Sequence, residues 1–415
     1  MTNHQSPITN TAFLCGYFSA ERDLQPSMLQ GWEKRSFNRQ EQANLSNYYF
    51  PEFAQCLTDD IQMYFRPVEQ DCVLDFGDEQ VTFRLEKLQL WQAPFRIVLY
   101  AVTIHFDNMP LNSVTRALNA LRNCAWYSPM QDGFVNAALR PVMDLFQRLN
   151  PHAPHREAGS HDLSWLVESG NKFKIFQIIQ AVEGIEKGDE QLMLYDAGTL
   201  ARHTPLSHGI NSPAYIERIL EEHTVSVFSG WTGLALLDTF TLLATDTPEM
   251  VFRNWISDYF EKIYIYQLFR KVFLYSVNLR YRRRSEDVII LEQRLDEFEQ
   301  KYSYTAISYN FLPNIINAAM EKSLNTQRDY DQLDRMIGKE IQVRRNETEQ
   351  KTNRFLTFLT CLTIFSAIYD MASLLNDSFC YEALFRSSHV GFRLVGTFLL
   401  LLVLVVYLLL VKKKK

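Results

Sequence analysis

FLTFLTCLTIFSAIYDMASLL at residues 355–375 and VGTFLLLLVLVVYLLLV at residues 395–411 decide how this chain is read. Both runs approach or reach the length that a helix needs to cross a hydrocarbon core of roughly 30 Å. They predict transmembrane helix 1 over 355–375 and transmembrane helix 2 over 395–411. Residues 376–394 are then a short outer loop, and 412–415, four lysines, a basic tail. Arg344, Arg345, Lys351 and Arg354 precede the first run, whereas the loop carries Arg386 and ends beside Arg393. Basic residues mark the cytoplasmic side. Both termini are therefore expected in the cytosol, with the hairpin in a bacterial inner membrane and the lipid bilayer as a partner.

Working outward, the remainder reads as a folded cytosolic part. The chain has 415 residues, 47% of them hydrophobic, and a formal net charge of −6. That charge argues against direct nucleic-acid binding. Residues 1–11 are polar and lack the pattern of a cleaved signal peptide. Cys15, Cys56, Cys72, Cys124, Cys361 and Cys380 show no metal-ligand spacing and read as reduced thiols. His152, His155 and His161 lie in a turn-rich loop without a helical HxxxH pattern, so they read as solvated. No phosphate-binding Gly loop, GxSxG or HExxH occurs, and an enzyme is not expected.

An α+β domain is expected over 1–247. Strands are predicted at 11–18, 73–76, 80–92, 94–106, 172–182, 191–198, 225–230 and 232–244. Helices are predicted at 111–121, 135–149 and 213–223. From Pro248 the pattern turns helical, giving a helical part over 248–310. One helix covers 249–280 and a second 287–302, separated by the RYRRR segment. Arg280, Arg282, Arg283 and Arg284 form a candidate anionic-ligand cluster, although basic residues also suit a helix C-terminus. Glu286, Asp287, Glu292, Asp296, Glu297 and Glu299 form an acidic run that reads mainly as a solvated face. Residues 311–354 are expected to form a stalk helix, continuous from Asn314 through Leu375 with only Gly338 to disturb it. Its apolar spacings of three and four suit packing against copies of itself.

A long helix feeding directly into the first of two C-terminal spans resembles the CorA family of two-transmembrane divalent-cation transporters. That family carries Tyr-Gly-Met-Asn at the outer end of its pore-lining span. Here the place reads Tyr369-Asp370-Met371-Ala372. The resemblance implies a homo-oligomer, a pentamer if the family is followed. It implies a pore lined by Asn353, Thr357, Thr360, Ile364, Ala367 and Met371, with Tyr369, Asp370, Met371 and Ala372 at the entrance. A second polar stripe holds Thr352, Thr363, Ser366 and Asp370. Ala372 offers no oxygen to hydrated Mg²⁺, whereas Asp370 would supply a ring of carboxylates.

The altered motif also resembles the CorA-like effectors of type III CRISPR antiviral systems, which implies a channel opened by a nucleotide second messenger. The expected function is therefore a gated ion channel, with a divalent cation and a nucleotide-type ligand as its small molecules. A constitutive Mg²⁺ transporter is the alternative, and a non-conducting anchored sensor or scaffold the second alternative.

Overall fold

The computed structural model describes residues 7–123, 132–152, 172–181, 190–201, 211–245 and 249–378. In chain order these are β1 (Pro7–Ser19), β2 (Glu33–Lys34), α1 (Arg39–Tyr48), α2 (Pro51–Gln55), β3 (Gln62–Asp75), β4 (Gln80–Ala93) and β5 (Ile97–Pro110). Then come α3 (Leu111–Arg122), α4 (Asp132–Phe134), α5 (Arg140–Leu149), β6 (Lys174–Ala181), α6 (Glu190–Thr199) and α7 (Pro213–His223). The chain continues with β7 (Thr224–Val225), β8 (Trp231–Ala235), β9 (Thr239–Ala244), α8 (Glu249–Asn254), α9 (Ile265–Arg283), α10 (Val288–Tyr302), α11 (Phe311–Leu324) and α12 (Thr326–Ser378). A π-helical stretch, Trp255–Tyr264, joins α8 to α9.

Nine strands form one sheet in the order β2-β3-β4-β5-β1-β6-β9-β8-β7. Every pairing is antiparallel except β6 with β9. The central strands β1 and β5 are buried along almost their whole length. Strand side chains alternate between faces, so such strands must be apolar on both. Leu14, Val102 and Ile104 meet Val114, Leu118, Val142 and Leu145 of α3 and α5 on one face. On the other, Phe13 stacks on Phe260 of the π-helical stretch with ring centroids 3.9 Å apart, and Phe95 meets Phe273 of α9 at 4.5 Å. The sheet is thus covered on both sides, as its apolar runs require.

Several local readings change. Residues 191–198, expected as a strand, belong to helix α6. Met193, Leu194, Tyr195 and Ala197 are all buried. A helix hidden on every side shows no amphipathic period, and a short apolar run is then indistinguishable from a strand. Residues 232–244 split into β8 and β9, which form a hairpin turning at 236–238. RYRRR does not interrupt α9 but forms its last turn, closed by Arg284 in the left-handed region at φ 51°. The stalk is not continuous. Asn325, at φ 55°, ends α11 and α12 starts one residue later. Asn tolerates that conformation better than most side chains, so no Gly or Pro advertised the break. Gly338 lies inside α12 without ending it.

The largest correction concerns the membrane. Among the described residues, no helix is long and apolar enough to cross one. Between Arg354 and Asp370 the apolar stretch has room for about 22 Å at 1.5 Å per residue, against the roughly 30 Å of a hydrocarbon core. Thr357, Thr360, Thr363 and Ser366 dilute it further. The two-span fold class is therefore corrected to an α+β domain with a long helix. The lipid-bilayer, ion-channel and inner-membrane expectations fall with it. Residues 395–411 and 412–415 lie outside the described residues.

Two compact units divide the chain, Met1–Arg335 and Met336–Lys415. The first contains the sheet and the helices through α11. The second contains most of α12.

Candidate functional site

Two features of the described residues stand out, a cavity in the first unit and an apolar seam in the second. The cavity, about 450 Å³, lies where α1, the π-helical stretch and the start of α11 converge. Asn38 opens α1 with a capping box, accepting from the Glu41 backbone N–H while the Glu41 carboxylate accepts from its own. That cap fixes Glu41 beside Arg35, whose guanidinium it pairs with at 2.5 Å. Across the cavity, Lys262 is paired with Asp258 one turn earlier. Glu261 accepts a hydrogen bond from Gln89 Nε2 at 2.8 Å and has Lys87 Nζ at 3.8 Å. Burial pushes the Glu261 carboxyl up, opposed by Lys87, Gln89, Arg35 and Lys262. Tyr48, Tyr49, Phe37 and Tyr259 supply the aromatic wall. Burial and the Asp258 charge raise both Tyr49 and Tyr259. π-Helical segments are frequent at functional sites because i→i+5 bonding re-aims side chains. Here it places Trp255, Phe260 and Ile265 in one buried row and leaves Glu261 free to line the cavity.

The seam is on α12. Phe355, Phe358, Leu359, Leu362, Phe365 and Tyr369 repeat at spacings of three and four, and each is between 37% and 75% exposed. At 100° per residue they fall on one face about 120° wide. Taking Phe355 as heptad position a, Leu362 and Tyr369 are also a, Phe358 and Phe365 are d, and Leu359 is e. Upstream in the same register, Ile341 takes a and Ile337 takes d, and both are buried.

The residues expected to line a pore lie mostly elsewhere on this helix. Thr357 donates to the Asn353 carbonyl at 2.7 Å, Thr360 to Leu356 at 2.8 Å and Thr363 to Leu359 at 2.9 Å. Their hydroxyls are satisfied by their own helix, an ordinary use of Thr. Asn353, Ile364 and Ala367 are exposed, as are Tyr369 and Asp370. The side chains of Met371 and Ala372 lie outside the described residues. The heptad seam went unseen because the same residues read as a membrane span.

The arginine cluster is dispersed. Arg280 is held by Glu286 at 3.2 Å and Arg282 donates to Asn278 at 3.0 Å, while Arg283 and Arg284 are exposed. Glu286 also takes Arg294 at 2.8 Å, which uses one carboxylate of the acidic run internally. His152 pairs with Glu21 at 2.9 Å, and His155 and His161 lie outside the described residues. Cys15, Cys56, Cys72 and Cys361 are free thiols. Burial pushes Cys56 up to about 12 and Cys72 up to about 11, which makes them poor nucleophiles. Cys124 and Cys380 lie outside the described residues. No group of three or more His, Cys, Asp or Glu among the described residues could hold a metal ion. With these geometries in place, the comparisons can be stated. No family model, curated protein or solved structure matches the chain.

A third cluster is structural. Asp238, in the β8–β9 turn, bridges Lys174 at 2.6 Å and Arg122 at the end of α3. Burial alone would raise the Asp238 carboxyl, but Lys174 and Arg122 together bring it below its usual 3.8. Lys174 moves the other way in energy: burial lowers it despite Asp238, so the lysine loses some of what the aspartate gains. A depressed carboxyl contributes stability above its unfolded value and loses it as pH falls through the folded one. We expect unfolding midpoints to drop on acidification below about pH 4, and Asp238→Asn to flatten that limb. Urea titrations across the acid range measure it; an equal slope in the variant would rule the bridge out as the cause.

Proposed function

We propose that the protein is a non-enzymatic, self-associating scaffold or sensor, in which α12 joins copies of the α+β domain. The heptad seam on α12 carries this reading. An exposed contiguous apolar face marks an interaction site, and an a/d repeat fits another helix with the same repeat. A second copy is the occupant that the charges favour. In a parallel, in-register pair, Glu340 at g of one copy meets Arg345 at e of the other, an attractive pairing. Arg344 and Lys351 occupy d positions upstream. Arg344 is already tied to Glu340 at 3.1 Å, so residues 344–351 remain hydrated and the tight contact begins at Phe355.

The affinity follows from the areas involved. Full burial of a large apolar side chain is worth about 1.5–3 kcal/mol, and these six are roughly half exposed. Twelve such side chains across a pair, set against an association cost of about 4–15 kcal/mol, leave binding near the micromolar range. The nucleotide-responsive effector implied by the resemblance is less well supported. It needs cations free to meet phosphates, whereas Arg35, Lys262 and Arg280 are each held by a carboxylate.

Sedimentation velocity over a concentration series tests the proposal. The unmodified chain should associate with concentration. Phe358→Glu with Leu362→Glu should remain monomeric at about a hundredfold higher concentration, because two charges enter the seam. Ile364→Glu, on the opposite face, should associate normally. A chain that is monomeric throughout has its seam covered from within, for instance by residues 379–411, and the proposal is then wrong. Equal disruption by Ile364→Glu is equally fatal to it.

A further inference from the structure

The cavity beside the π-helical stretch takes no part in the assembly reading and carries its own chemistry. Its volume of about 450 Å³ falls within the roughly 300–1,000 Å³ of small-molecule sites. Three carboxylates line it, Glu41, Asp258 and Glu261, against two cations, Arg35 and Lys262. The acids are spread around the walls rather than clustered, and two of them are cancelled by the Arg35–Glu41 and Lys262–Asp258 pairs. Both lining cations also sit over aromatic rings, Arg35 at 5.9 Å from Phe37 and Lys262 at 5.9 Å from Tyr49. The third acid, Glu261, has no cationic partner among the lining residues. Its nearest cation, Lys87, does not line the cavity and stands at 3.8 Å.

We infer that this cavity binds a small organic cation, with an ammonium group beside Glu261 and its hydrocarbon part against Tyr48 and Tyr49. The lining leaves one formal negative charge uncompensated, and ring faces attract ammonium groups. An anionic ligand would have to pull Arg35 or Lys262 from its carboxylate and then sit near Glu261, so it meets repulsion at each step. A bare metal ion fails on geometry, since no described group of three ligating side chains converges there. An organic cation needs only one carboxylate and the rings, and both are in place.

Calorimetric titration of the full chain with benzylamine, its neutral analogue benzyl alcohol, and benzoate tests the site. Benzylamine should bind saturably, with benzyl alcohol at least about tenfold weaker. Glu261→Gln should bring benzylamine down to the level of the alcohol. Tyr48→Ala, at the exposed rim, should weaken benzylamine several-fold with the unfolding midpoint unchanged. Absence of benzylamine binding overturns the inference, as do equal binding of the alcohol, unaltered affinity in Glu261→Gln, or tighter binding of benzoate. Should Glu261→Gln fail to fold, Tyr48→Ala decides, and an unchanged affinity there sinks the site. None of these outcomes depends on association through α12.

Discussion

Glu321→Ala is expected to destabilise the first unit by about 3 kcal/mol. Glu321, on α11, holds Arg270 of α9 at 2.6 Å, and the Arg270 side chain is only 3% exposed. Arg270 reaches Gln267 at 3.4 Å and lies 5.7 Å from the Tyr266 ring. Gln267 in turn donates to Asn317 at 2.7 Å. The four polar groups form one chain between two helices whose other contacts are apolar. Removing the carboxylate strands a guanidinium that has almost no water. Breaking a fully buried pair costs about 3–5 kcal/mol. Glu321 keeps 28% exposure, which admits some solvent and places this pair at the low end. Replacing both partners together, Arg270→Met with Glu321→Leu, should be far milder than the single change, because no charge is left buried. Denaturant unfolding of both variants measures this. A single-variant cost under about 1 kcal/mol would mean that water reaches Arg270 freely.

What could be read in the chain follows from how local each signal is. β3, β4 and β5 and helices α3, α7 and α10 were legible because period-two or helical spacing is written within a dozen residues. α6 was not, since residues 191–198 are buried on every side and show no period. The break at Asn325 left no mark either, being a single left-handed residue. The Arg270 network did leave one: Gln267 and Arg270 stand three apart inside an apolar helical run, where an unpartnered charge would be intolerable. Counting only the apolar positions passed over it. The cavity was out of reach, because Arg35, Tyr48, Glu261 and Leu312 come from segments hundreds of residues apart in part. No spacing rule links such positions. Residues 355–369 show the opposite failure. Their hydrophobicity was conspicuous enough to obscure a heptad pattern running through the same side chains.

Phe260→Ala should be the most damaging single change in the molecule, at about 4–5 kcal/mol. Phe260 is fully buried. It stacks on Phe13 at 3.9 Å, meets Trp91 edge-on at 5.8 Å and lies 5.2 Å from Phe176. These partners come from β1, β4 and β6, so one ring ties the π-helical stretch to three strands. Truncating a buried Phe costs about 3–5 kcal/mol, and each aromatic pair adds about 0.5–1.5 kcal/mol beyond area. The rigid sheet cannot collapse into the gap, which argues for the upper part of the range. Phe260→Leu retains most of the volume and should cost about half as much. Ile289→Ala, at an exposed position of α10, should stay within about 0.5 kcal/mol. The site adds a second readout. Glu261 follows Phe260 directly, so loss of the ring should loosen the cavity wall and weaken amine binding in any Phe260 variant that still folds. A variant that loses about 4 kcal/mol but binds benzylamine unchanged would show that the π-helical stretch holds its shape without the ring.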